Sequence, residues 1–158
     1  MYRLGHYGAA LLCYAPLGLV LADLRMLAVL GGAVSLALAS LPDVDQKIPF
    51  VDHRGLTHTV GFAIAVGGVL GAAGFLAGGE ASPGTPLLLA AFGFGVGFTA
   101  IVSHLLADVI TPMGITPFWP LSDRHYTLDI TRADNWLANY ALLGLGVLVT
   151  LGVLGIAR

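Results

Sequence analysis

The chain has 158 residues, of which 57% are hydrophobic and only 10% charged, with a mean hydropathy of +0.88. Soluble domains carry about 25% charged residues, so the composition excludes a water-soluble globule and points to a membrane-embedded domain. The formal net charge of −2 leaves no basic stripe to neutralise phosphates, which excludes nucleic acid as a partner.

A membrane-spanning helix needs about 20 mostly apolar residues, and five segments approach that length: 5–22, 26–41, 57–78, 86–110 and 135–157. The predicted fold is all-α, a polytopic membrane bundle of about five transmembrane helices forming a single domain over residues 1–158. The first segment opens behind Arg3 and contains His6; its apolar run and the small-residue stretch Val20-Leu-Ala22 also fit a signal peptide, a reading that would discard His6. Cys13 in this run has no partner for a disulfide or a cysteine zinc motif and is expected as a small buried hydrophobe. The second segment is short because Pro42 limits it, and a short span requires local thinning of the bilayer.

Between the second and third segments lies the densest polar run, Leu41-Pro-Asp-Val-Asp-Gln-Lys-Ile-Pro-Phe-Val-Asp-His-Arg-Gly-Leu-Thr-His58. Asp43, Asp45, Asp52, His53 and His58 gather here, while the flanking segments run far without formal charge. Carboxylate oxygens and imidazole nitrogens are ligands for zinc, manganese and iron. The expected cofactor is therefore a divalent metal ion, with zinc placed first. A turn started by Pro42 would bring both Asp43 and Asp45 inward. Gly55 lets the backbone turn so that His53 folds back toward His58, and Thr57 is expected as the N-cap of the third helix. Arg54 would either hold an anionic substrate group or pair with Asp52 or Asp43.

The third and fourth segments carry Gly61, Gly67, Gly68, Gly71 and Gly74, then Gly93, Gly95 and Gly97, small residues that let membrane helices approach closely. Gly78-Gly-Glu-Ala-Ser-Pro-Gly-Thr85 separates them as a loop. Near the end of the fourth, Ser103-His-Leu-Leu-Ala-Asp108 sets His104 and Asp108 four residues apart, on one helical face. Ionisable groups inside membrane segments default to a functional role. Both side chains could bind one ion, or Asp108 could orient the imidazole; the alternative is a buried pair satisfied by neighbouring helices.

The following loop, Thr111-Pro-Met-Gly-Ile-Thr-Pro-Phe-Trp-Pro-Leu121, ends in aromatics. Phe118 and Trp119 are expected as interface anchors, or alternatively as a lid over the site. His125 is expected at the surface.

Five spans alternate sides, which places the N-terminus, the 42–56 loop and the 111–134 loop at one face. His6, Asp43, Asp45, His53, His58, His104 and Asp108 would then share that face. It also holds Arg3, Lys47, Arg54, Arg124 and Arg132, against Arg25 and Arg158 beside Asp23 and Glu80 on the other. The positive-inside rule makes the first face cytoplasmic.

Leu-Pro-Asp-Val-Asp at 41–45, His-Arg-Gly-Leu-Thr-His at 53–58, Ser-His-Leu-Leu-Ala-Asp at 103–108 and Thr-Pro-Met-Gly-Ile-Thr-Pro-Phe-Trp-Pro at 111–120 occur in one order along the chain. Together with Gly5-His6 this pattern resembles the YdjM-type family of membrane-bound metal-dependent hydrolases. The family often reads Leu-Pro-Asp-Ile-Asp-His, and Gln46 stands in the histidine's place, so that position is outside the ligand set or lost here. The resemblance implies hydrolysis of an ester. A site at the membrane interface makes a phosphoester of a membrane lipid or lipid-linked substrate the expected partner. His6, Asp43, His53, His58, His104 and Asp108 are the candidate metal ligands, with Asp45 as ligand or general base and Arg54 on the substrate. That set exceeds the four ligands of a structural zinc site, leaving room for one open catalytic metal or two bridged by a carboxylate. The alternatives are a metal or ion transporter, and a noncatalytic membrane protein with a structural metal.

Overall fold

Helix α1 (Arg3–Val20) is followed by α2 (Arg25–Leu38), α3 (Val60–Gly78), α4 (Thr85–Val109) and α5 (Trp136–Ile156). The computed structural model describes residues 1–49, 53–79, 82 and 84–156. The architecture is all-helical, and its only bridge among the described residues is the antiparallel pair Ile115 and Tyr126 in the loop before α5. Four stretches are long and apolar enough to cross a membrane: Arg25–Lys47, Val60–Gly78, Thr85–Val109 and Trp136–Ile156. Helix α1 has 18 residues but is not among them; Arg3, His6 and Tyr7 make its first two turns polar.

Helix α2 is short as expected, with 14 residues ending at Leu38 ahead of Pro42. After Leu38 the chain passes into a 3-10 turn, Pro42–Lys47, with Pro42 in its first positions, where a missing N–H leaves no bond unmade. Helix α3 starts later than the apolar pattern suggested. Thr59, not Thr57, caps it by accepting from the Phe62 amide at 3.1 Å, and Leu56–His58 forms a separate 3-10 turn. Asn135 caps α5 in the same way, accepting from the Ala138 amide at 3.2 Å.

Close helix approach explains the glycines. An added Cβ at Gly97 of α4 would lie 3.0 Å from the Val66 carbonyl oxygen of α3, and one at Gly146 of α5 would lie 2.7 Å from the Gly8 carbonyl oxygen of α1. Backbones at that spacing exclude any side chain between them. The pairings Gly71 with Ala90 and Gly78 with Pro86 make α3 and α4 antiparallel, whereas Gly5 with Asn139 and Gly18 with Val153 make α1 and α5 parallel. Cys13 is only half-buried, not enclosed as expected.

Much of the bundle's outer surface is apolar and exposed, including Val29, Val69, Leu76, Leu87 and Leu148, as lipid contact requires. The interior carries the polar groups instead. His6, Asp45, His58, His104 and Asp108 are all at most 1% exposed.

Candidate metal centre

The four segments of the polar pattern meet at one end of the bundle. Helix α1 brings His6, the first 3-10 turn brings Asp43 and Asp45, the second brings His58, and the last turns of α4 bring His104 and Asp108. The 3-10 geometry separates the two aspartates. With about three residues per turn, positions 43 and 45 point in directions roughly 120° apart, so Asp43 faces the histidines of the helices and Asp45 faces the following loop.

His58 Nε2 and His104 Nε2 approach to 3.2 Å. Asp108 Oδ2 lies 3.5 Å from the first and 3.3 Å from the second, and Asp43 Oδ1 lies 3.8 Å from each. A tetrahedral ion with bonds of about 2.0–2.1 Å holds its ligands roughly 3.3 Å apart, so the His58, His104 and Asp108 atoms have the spacing of a ligand set and Asp43 Oδ1 lies just outside it, in a group with His58 and His104 that could itself hold an ion.

The hydrogen bonds behind the rings decide which nitrogens carry lone pairs. His104 Nδ1 donates to the Ala39 carbonyl at 2.7 Å. His58 Nδ1 faces Asp45 Oδ2 at 3.2 Å and the Thr57 hydroxyl at 3.0 Å, and that hydroxyl in turn donates to Asp45 at 2.7 Å. With both Nδ1 atoms protonated, neutral rings direct two Nε2 lone pairs at each other. Such a contact repels unless a proton or a cation lies between them. Asp108 Oδ2 beside them is buried with no hydrogen-bond partner, an arrangement costly for a charged oxygen. The donor chemistry and the orphaned oxygen fit a divalent cation held by Asp43, His58, His104 and Asp108.

Asp45 is built into the surrounding layer. Besides His58 and Thr57 it accepts from His53 Nδ1 at 2.9 Å and from the Arg54 amide at 3.1 Å. His53 does fold back toward His58, with ring centroids 5.3 Å apart, but it reaches Asp45 rather than the four-atom cluster. His6 is enclosed at 0% exposure and stacks on His104 at 3.8 Å.

Arg54 takes a left-handed backbone, φ 64°. Its guanidinium crosses to Asp108 Oδ1 at 3.2 Å and donates to the Gly114 carbonyl at 2.7 Å. The expected partner Asp52 lies outside the described residues, and Asp43 is not among the contacts of Arg54. Gln46, at the family's histidine position, donates to Asp43 Oδ1 at 2.9 Å and so acts on a candidate ligand.

Sequence reasoning gave Thr57 to helix capping, but its hydroxyl is committed to Asp45; its place inside the His-rich run was the available signal. The Ala39 carbonyl had none, because any residue type supplies one. Phe118 and Trp119 are each 46% exposed and lie outside the cavity over the site, which the 111–121 loop reaches through Met113 instead.

That cavity, of about 770 Å³, is lined by Arg3, Lys47 and Arg54 together with Asp43, Gln46 and His53. A second cavity of about 280 Å³ between α1, α2 and α5 is almost wholly apolar and has no candidate ligand in its walls. Of these two cavities, only the first is bordered by candidate site residues.

Fold and site together define a helical membrane protein with a buried histidine and aspartate cluster able to hold a metal ion. The chain belongs to the YdjM inner membrane protein family, whose model matches residues 1–157. Neither a curated protein nor a solved structure matches it.

Proposed function

We propose that the protein is a metal-dependent hydrolase of a lipid or lipid-linked phosphoester, working at the cytoplasmic headgroup layer with zinc as the first candidate metal and manganese or iron as alternatives. The observation that carries this reading is the 3.2 Å contact between two Nε2 atoms whose opposite nitrogens already donate, beneath a cavity with three cationic side chains in its wall.

Asp43, His58, His104 and Asp108 would hold the ion. When bound, such an ion polarises a phosphoryl oxygen and makes water a better nucleophile. Arg54, with Arg3 and Lys47 at the cavity wall, attracts the anionic headgroup and offsets charge that develops on the phosphoryl oxygens. Asp45 is enclosed and engaged by four donors, which suits it to orienting His58 better than to accepting a proton from water. His53 is more accessible, with 35% of its side chain exposed, and its Nδ1 is anchored on Asp45. That pairing orients the ring, and a histidine so held is a suitable general base.

The test is hydrolysis in mixed micelles by metal-loaded protein. Turnover should require the metal, His53→Gln should lower kcat with metal retained, and Arg54→Ala should lower kcat/KM. No turnover of any phospholipid, lipid phosphate or carboxylic ester by metal-loaded protein would refute the enzymatic reading and leave a structural metal site.

A further inference from the structure

Helix α1 packs against α2 and against α5, and the second cavity is the cleft left between these two neighbours. Its wall on α2 runs from Arg25, the exposed first residue of that helix, inward to Leu36. At about 1.5 Å per residue this stretch is about 16 Å long. The hydrocarbon core of a bilayer is about 30 Å thick, so the cleft has the depth of one leaflet. Because α2 begins at Arg25 and ends beside the metal centre, that leaflet is the one opposite the centre.

The walls suit a hydrocarbon chain. Their two hydroxyls are spent inside the bundle: Tyr14 donates to the Ala28 carbonyl at 2.8 Å and Thr150 to the Gly146 carbonyl at 2.8 Å. Two glycines keep the middle open. An added Cβ would lie 3.6 Å from the Val153 side chain at Gly18 and 3.4 Å from the Tyr14 ring at Gly32. Those are ordinary contact distances, so helix approach does not demand either glycine, in contrast to Gly97 and Gly146. Among the described residues Arg25 is the only charged group in the wall, and it stands at the headgroup end. A guanidinium there can take a phosphate oxygen pair bidentately, as basic pockets between membrane helices hold anionic headgroups.

We infer that this cleft binds an anionic phospholipid of the leaflet opposite the metal centre, with one acyl chain between α2 and α5 and the phosphate on Arg25. The inference goes beyond the hydrolase reading and does not depend on it. A second copy of the chain fits less well, since a spanning helix would need a groove across the full hydrocarbon core rather than half of it.

The experiment titrates detergent-purified full-length protein with dioleoyl phosphatidylglycerol or dioleoyl phosphatidylcholine, which share their chains, and follows bound lipid by native mass spectrometry. Phosphatidylglycerol should bind about fivefold tighter, the effect of one basic side chain on an anionic lipid. Arg25→Gln should erase that preference, and Gly32→Leu, which fills the cleft, should lower the binding of both lipids. Gly144→Leu, where nothing lies within 4 Å of an added Cβ, should change neither. Arg54→Ala, at the cavity over the metal centre, should leave the Arg25-dependent preference in place. Loss of the preference in Arg54→Ala but not in Arg25→Gln would assign the lipid to that other cavity and overturn the inference. Equal affinity for the two lipids in wild type would overturn it even if the variants fail to fold. A dimer dispersed by Gly32→Leu would give the cleft to a second copy and overturn it as well.

Discussion

Asp45→Asn isolates what the carboxylate behind His58 does. The substitution keeps the side chain's shape but removes the charge that faces His58 Nδ1 at 3.2 Å, His53 Nδ1 at 2.9 Å and the Thr57 hydroxyl at 2.7 Å. Losing an orienting carboxylate behind a ligating histidine weakens metal affinity by about 10–100-fold, equivalent to about 1.4–2.8 kcal/mol. Thr57→Ala removes one of these bonds and should fall at or below the lower end of that range. Competition against a chromogenic chelator in detergent would measure both, with elemental analysis on the same samples. The expected outcome for Asp45→Asn is a weaker Kd with the same number of ions at saturation. An unchanged Kd would refute the orienting role. Loss of an ion as complete as in His104→Ala would make Asp45 a ligand.

Arg54 has a left-handed backbone that costs an L-residue roughly 1–2 kcal/mol, so Arg54→Gly should melt above Arg54→Ala by about 1 kcal/mol of stability, although both lose the guanidinium; equal melting would remove the strain argument. Gly146→Leu should destabilise the protein by about 1–3 kcal/mol, since its Cβ would meet the Gly8 backbone, and should displace His6 with α1. Gly144→Leu is the control, because nothing lies within 4 Å of a Cβ there; equal thermal shifts in the two would refute the packing account. For topology, single cysteines at Lys47, Glu80 and Arg124 in a Cys13→Ser background should give positions 47 and 124 one labelling pattern with an impermeant reagent in intact cells, and position 80 the opposite pattern. Labelling of 47 and 80 from the same side would refute the five-pass parity.

Helix number and membrane class were legible in the sequence because apolar run length is a local property, recorded residue by residue. Convergence of His6, Asp43, His58, His104 and Asp108 was also foreseeable, since helices that cross from face to face must return their polar ends to the same side. What local pattern could not supply was direction. That Asp43 faces the helices while Asp45 turns to the loop depends on a 3-10 turn at Pro42, which a simple alternation of residues does not specify. Thr57 read as a cap because capping is the commonest use of such a threonine, and only the fold shows its hydroxyl spent on Asp45 and the cap passed to Thr59. The Ala39 carbonyl, which fixes the His104 tautomer across 65 residues of chain, is a backbone group and leaves no mark in the sequence. Side-chain identity determines which atoms are available to a site; the crossing and close approach of helices determine which of them meet, and at what distance.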